Sequence, residues 1–472
     1  MLFNSLTFLI FFVSVFCLHR LIPGWNRKKL LLLAASYLFY AAWNPPYVAI
    51  LLFSTTLDWW LARCIWKSVD GRRRRLLLVL SLVSNLSLLA FFKYGNFLLE
   101  NTRLLLGILG ISYHPPALDI VLPIGISFYT FASLSYTIDV YRREVAGDWR
   151  FLDYALFVSF FPHLVAGPIV RAKQLLPQIR EPHTASRDQI GWGLVLLCIG
   201  LFSKTVLADS IFAPVVDEVY ANPATHNAAY AWAAVFGFSG QIYFDFSGYS
   251  LCAIGLALCF GFEFPDNFHY PYAARGFSDF WRRWHITLSS WLRDYLYVPL
   301  GGNRHGSLRT YLNLMLTMLI GGLWHGASWM FVLWGGLHGV YLAIERRARR
   351  GGGAAGRLLA KLPDALSAFT IFLVVTLTWI PFRAHSTATA AKLAGALFRS
   401  DDSLRIDFIS VLPIYLCIAA VFYWQFKQRD ESLEEWFSEQ GTTLQTSVVA
   451  ACLIGIFLCS GGDESAFIYF QF

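Results

Sequence analysis

Two histidines, His325 and His285, are the side chains of this sequence best placed to do chemistry. His325 lies in Leu323-Trp324-His325-Gly326-Ala327-Ser328-Trp329, midway along an apolar run, and His285 closes Phe280-Trp281-Arg282-Arg283-Trp284-His285. An imidazole at membrane depth is costly and normally faces a cavity, a partner or a substrate path. Neutral imidazole near pH 7 takes a proton from an attacking hydroxyl, so His325 is a candidate general base. A core histidine bonded to a carbonyl explains the same position, and on residue type alone the two readings stand level. For His285 an interfacial anchor among tryptophans is the plainer reading. His338, followed by Gly339, reads as polar glue between packed helices.

Other chemistries lack their residues. There is no H-E-x-x-H, no CxxC and no carboxylate cluster, so neither metal nor cofactor is expected. No G-x-S-x-G elbow and no phosphate loop is present, against a hydrolase or an NTP-driven pump. The eight cysteines mostly fall in apolar runs and read as small buried hydrophobes. Asp245, inside Tyr243-Phe244-Asp245-Phe246-Ser247-Gly248-Tyr249-Ser250, is a carboxylate in apolar surroundings and needs a partner. An Arg or His from 275–295 is expected to supply it, for structure rather than catalysis. Asp58, Asp139 and Lys204 are weaker cases of the same kind.

The elements that must position these residues follow from periodicity and length. Over Phe277–Tyr297, the residues Phe277, Trp281, Trp284, Leu288, Trp291, Leu292 and Tyr295 recur at i, i+3, i+4, i+7 spacing, which predicts one amphipathic helix lying in the membrane interface. On that helix His285 falls about 40° from Trp281, at the edge of the apolar face. The run 308–343 has 36 residues, about 54 Å as one helix against a hydrocarbon core of ~30 Å. With Gly321-Gly322 and Gly326 at its midpoint, it predicts a hairpin with His325 near the apex, deep in the membrane.

The rest of the chain builds a box around this stretch. The protein has 472 residues, 56% hydrophobic and 14% charged, against about 25% charged in soluble proteins. Spans are predicted at 5–18, 30–43, 47–65 and 76–92, a dip at 97–112, spans or buried helices at 119–140, 151–169, 189–212, 228–246 and 248–262, and last spans at 363–383, 407–426 and 446–461. The arrangement is one membrane domain over 1–472, with N-terminal spans in 1–110, a central core in 119–345 and C-terminal spans in 363–472. The net charge of +8 sits mostly in short loops, which points to the positive-inside rule and lipid rather than nucleic acid. Basic loops at 20–29, at Lys67 with Arg72-Arg73-Arg74-Arg75, and at 345–361 alternate with Asn44-Pro45-Pro46 and Lys93-Tyr94-Gly95-Asn96, so both termini are expected outside the cytoplasm.

Several segments together resemble the membrane-bound O-acyltransferase family. They are Phe280–Tyr297 with Trp284-His285 and Arg293-Asp294-Tyr295, Trp324-His325-Gly326, Leu122-Pro123-Ile124-Gly125-Ile126-Ser127-Phe128-Tyr129, Val140-Tyr141-Arg142 and Tyr243–Tyr249. The ending Phe467-Ile468-Tyr469-Phe470-Gln471-Phe472 is similar to the bacterial branch that serves alginate O-acetylation. The resemblance implies an all-α polytopic membrane protein, a bundle of about eleven transmembrane helices with re-entrant or interfacial helices around a central tunnel. It implies His325 at the active-site histidine position and His285 at the second. On that footing an acetyl group passes from a cytoplasmic thioester donor, acetyl-CoA, to a secreted polysaccharide at the bacterial inner membrane, helped by a periplasmic acetyltransferase partner. Arg282, Arg283 and Arg293, with Trp281 and Trp284, are then candidates to meet the donor. Asp245, Trp324 and Tyr249 are candidates to shape the tunnel, and His285 to orient the thioester or stabilise its oxyanion. D-alanyl transfer to teichoic acid, and a non-catalytic transporter or scaffold of polysaccharide export, are the alternatives.

Overall fold

In lipid the backbone must satisfy itself within each segment, which leaves apolar runs the helix. The computed structural model describes residues 1–116, 118–350, 362–399, 408–459 and 467, and among these there are helices and loops but no strand. Among the described residues seven helices are long and apolar enough to cross a membrane: Tyr47–Lys67, Gly71–Ile108, Arg187–Ala221, Ala228–Cys259, Asp364–Arg383, Ile409–Lys427 and Thr442–Cys459. Leu6–Leu21 is a shorter apolar helix. The fold is an all-α polytopic membrane fold.

The described chain packs as two compact units, Met1–Leu197 with Leu251–Pro265, and Cys198–Ser250 with Asp266–Phe472. The first unit is knit by phenylalanine rings, Phe8, Phe11, Phe39, Phe161 and Phe260. Within it, buried Lys29 bonds Asp153, and buried Asp58 accepts hydrogen bonds from Ser81 (2.6 Å) and Asn85 (2.8 Å). Two sequence expectations fail in this unit. Residues 76–92 and 97–108 form one helix, Gly71–Ile108, because Lys93-Tyr94-Gly95-Asn96 contains no proline to break it. The predicted span 119–140 is the shorter helix Ile126–Arg142. The segment 151–169, in which Pro162 and Gly167-Pro168 are expected to break or bend the helix, does break, at Phe160 just ahead of Pro162, into Phe151–Ser159 and Phe161–Leu164.

The second unit holds the hairpin, the Trp284–His285 stretch and a large aromatic core built on Trp284, Trp334, Trp379, Tyr272, Phe331 and Phe382. Here Ser203–Phe212 is a π-helical continuation of Arg187–Phe202. The predicted pair 228–246 and 248–262 is one helix, Ala228–Cys259. Gly248 does not break it: a Cβ there would meet the Gly200 carbonyl oxygen at 2.6 Å, so this glycine permits close helix packing. The run Glu345–Arg350, expected in a loop, ends the helix Trp329–Arg350; Gly351-Gly352-Gly353 lie outside the described residues. So does the terminal motif, apart from Phe467.

Candidate active site

The hairpin is present as expected. Helix Gly306–His325 ends on the histidine, and Trp329–Arg350 returns after Gly326-Ala327-Ser328. Its arms approach at glycines: a Cβ on Gly322 would lie 2.3 Å from the Phe331 carbonyl oxygen, and one on Gly335 2.2 Å from that of Met318. At the apex a Cβ on Gly326 would meet the Phe331 ring at 2.1 Å. Only glycine lets the chain turn there with His325 packed beneath it.

His325 is 4% exposed. Its ring meets Trp324, Trp334 and Phe382 edge-to-face, with centroids at 5.0, 5.1 and 5.3 Å. It occupies the last turn of its helix, where unpaired carbonyls carry partial negative charge. An imidazolium formed there by taking a proton is held by that field.

The second histidine is reached differently from expectation. The continuous amphipathic helix over Phe277–Tyr297 does not form. Phe277–Arg283 stops at Trp284, His285 adopts a left-handed backbone (φ 42°), and Ile286–Leu292 follows, continued by the π-turn Arg293–Tyr297. A helical wheel therefore does not locate His285. The break is imposed by a distant segment: His269 N donates to the Arg283 carbonyl (2.9 Å), and Ile286 N to that of Asn267 (2.9 Å). Those bonds offset the roughly 1–2 kcal/mol that a left-handed non-glycine residue costs.

His285 is fully buried. Its Nδ1 lies 3.0 Å from Asn267 Oδ1, and its ring stands edge-on to Phe246 at 4.6 Å. Burial drives its pKa down to about 3, so the ring is neutral. Trp324 links the two candidates: its indole lies 6.0 Å from His285 and 5.0 Å from His325. The structure thus gathers His285, Trp324 and His325 around one indole.

The arginines separate. Arg283 is buried, bonded to Asp279 (2.9 Å), Asp430 (3.4 Å) and the carbonyls of His269 (3.2 Å) and Arg429 (2.8 Å). Its guanidinium holds the fold rather than facing a donor. Arg293 forks onto the adjacent Asp294 at 2.7 and 3.2 Å, and Arg282 is exposed. Trp284 is a core residue stacked on Phe280 (5.6 Å), while Trp281 packs on Trp334 (5.7 Å) and His338 (5.2 Å). Asp245 is buried as expected, but its salt-bridge partner is Lys204, which also bonds Asp209 at 2.8 Å, not a residue of 275–295. Tyr249 is buried against Phe467 with centroids at 5.0 Å.

His338 serves packing. The Thr378 hydroxyl donates to the Val375 carbonyl (2.6 Å), so His338 Nε2 donates to Thr378 Oγ1 (3.2 Å). Sequence reasoning missed Asn267, Trp334 and Phe382. Asn267 follows Pro265-Asp266 and looks like ordinary turn chemistry; the two aromatics look like any apolar residue of a span. Among the described residues no group of three or more His, Cys, Asp or Glu could hold a metal ion.

The family model described as MBOAT, membrane-bound O-acyltransferase family, matches residues 35–351. A probable alginate O-acetylase AlgI of Pseudomonas aeruginosa is 42% identical over 402 residues, 84% of this chain and 75% of the relative. A peptidoglycan O-acetyltransferase of Helicobacter pylori is 34% identical over 100% of this chain and 98% of its own. A teichoic acid D-alanyltransferase of Bacillus subtilis is 25% identical over 49% of this chain and 60% of its own.

Proposed function

The chain belongs to the membrane-bound O-acyltransferase family and is an acyltransferase; from that premise we propose that it moves an acetyl group from cytoplasmic acetyl-CoA for O-acetylation of a secreted polysaccharide, alginate or a related exopolysaccharide. The observation that carries this reading is the buried hairpin apex where His325 and His285 meet the same indole. His325 takes the proton of the acceptor hydroxyl as its oxygen attacks the thioester carbonyl carbon. Collapse of the tetrahedral intermediate expels the thiolate, which recovers that proton from the imidazolium. Arg282, exposed beside the break, is the arginine best placed to meet the donor's phosphates. The protein works in the bacterial inner membrane with both termini outside the cytoplasm, and a periplasmic acetyltransferase completes delivery to the polymer.

The end-to-end match to the peptidoglycan relative favours a second acceptor, the cell-wall glycan. One experiment tests both. Ester-linked acetate is measured on secreted polysaccharide and on isolated cell wall from a deletion strain carrying wild type or His325→Ala at equal membrane levels. Acetate restored only by wild type supports the mechanism, and the fraction carrying it names the acceptor. Equal restoration by both proteins makes His325 a packing residue.

A further inference from the structure

The hydrogen bonds around His285 fix which of its nitrogens carries the hydrogen. Asn267 Oδ1 faces three neighbours: His285 Nδ1 at 3.0 Å, Thr287 Oγ1 at 2.9 Å and the Thr287 backbone N at 3.4 Å. A backbone N–H only donates, so the atom it faces is the carboxamide oxygen and not the NH2 group. The other end of the amide donates from Nδ2 to Ser250 Oγ at 3.1 Å, which agrees. An oxygen accepts only, so His285 Nδ1 must carry the hydrogen. In a neutral ring Nε2 is then a bare lone pair. Nε2 is buried and has no hydrogen-bond partner among the described residues. A buried acceptor left empty is costly, and a bound substrate donor removes that cost.

We propose that Asn267 is a positioning residue for the transfer: it holds His285 with hydrogen on Nδ1 and a bare Nε2, so that His285 meets the substrate as a hydrogen-bond acceptor and not as an oxyanion donor. This rests on the acyl-transfer reading for its role, while the tautomer itself does not. The group received is an O–H or N–H of the bound substrate, on the acceptor or on the thioester arm. It is held while His325 takes the proton of the attacking hydroxyl. The side chains facing His285 in the structure, Asn267, Phe246 and Trp324, are all uncharged, and burial is what sets its charge state.

The test is nitrogen NMR on the purified full-length protein with 15N-labelled histidine, the His285→Asn variant identifying which signals belong to His285. Hydrogen on Nδ1 with a bare Nε2 is expected; hydrogen on Nε2 overturns the proposal whether or not the protein transfers acyl groups. Kinetics give the second arm. Asn267→Leu should lower transfer by roughly 10–100-fold, the range found when the partner that orients a metal-ligating histidine is lost. Asn267→Asp keeps the accepting oxygen and should recover most of that loss. Its added charge stabilises the imidazolium and should move the acid limb of the pH profile to higher pH. A KM rise in Asn267→Leu confined to one substrate says which of them supplies the donor group. An Asn267→Asp profile that matches wild type overturns the role.

Discussion

At the scale of single residues, burial separates the arginine proposed to meet the donor from a structural one that looks alike in sequence. Arg282→Ala should raise the KM for acetyl-CoA several-fold and leave thermal stability in detergent unchanged, because an exposed cation contributes little to folding. Arg283→Ala should do the reverse. It removes a buried guanidinium from Asp279 and from two backbone carbonyls, at about 1–3 kcal/mol for the groups left unsatisfied, read as a lowered melting temperature. Equal donor KM effects from the two variants would contradict this division. The same network sets an acid limit. Burial alone would raise the Asp279 carboxyl, but the Arg275 amide, Arg283 and Arg429 hold it below its ordinary value. A carboxylate with a depressed folded pKa contributes stability above its unfolded pKa, near 3.9, and loses it as pH falls through the folded value. Asp279→Asn should therefore lower stability near neutral pH and flatten its decline below about pH 4; an unchanged acid limb would mean that other groups control it.

At the scale of elements, the hairpin was legible and the His285 break was not, for different physical reasons. A 36-residue apolar run exceeds one crossing, and glycines mark where it must turn; both are local facts. The break at Trp284–His285 is held by Asn267 and His269, which periodicity within Phe277–Tyr297 cannot register. Side-chain spacing still matched a helix on either side, so the wheel read straight across. The split between 228–246 and 248–262 erred in the opposite direction. The segment is one helix, and the missing Cβ of Gly248 lets Ala228–Cys259 pass close to the Gly200 carbonyl. His325 itself was legible by position, while the rings that enclose it, Trp334 and Phe382, come from segments that only packing brings together. The hairpin carries its own test. Gly326→Ala places a methyl where the Phe331 ring now lies; overpacking of this kind costs about 1–3 kcal/mol. Transfer should fall at least tenfold while the protein still reaches the membrane, and Phe331→Leu in the same chain should return part of the activity by making room. Wild-type activity in Gly326→Ala alone would show that the apex tolerates movement and that His325 is not held by it.

At the scale of the whole molecule, the proposed function needs a defined orientation of the helices in the membrane. The first unit ties three basic helix ends together. Arg143 donates to the carbonyls of Trp66 (2.7 Å) and Ser68 (3.2 Å), and its guanidinium lies 4.7 Å from the Trp66 ring. Arg74 bonds the Tyr141 carbonyl. The end of Tyr47–Lys67, the start of Gly71–Ile108 and the end of Ile126–Arg142 therefore share one side, with Lys67, Arg72 to Arg75, Arg142 and Arg143 gathered there. The positive-inside rule predicts that a cluster of that size faces the cytoplasm, the side of the proposed thioester donor. The far end of Gly71–Ile108 reads differently from its sequence. Lys93 to Asn96 is helix rather than loop, and 38 residues at 1.5 Å each run about 57 Å, beyond a ~30 Å core. Asn96 also binds the Leu118 backbone through both its oxygen (2.8 Å) and its nitrogen (3.0 Å), so the chain at Leu118 comes back beside this helix. Two cysteines test this orientation. Val69 is 97% exposed between its two helices, and Pro45 is exposed in the turn at the other end of Tyr47–Lys67. Over the background of the native cysteines, Val69→Cys should react with a membrane-impermeant thiol reagent in inverted vesicles and not in intact spheroplasts, and Pro45→Cys the other way round. The opposite pattern would place the arginine cluster outside the cytoplasm and overturn the proposed orientation.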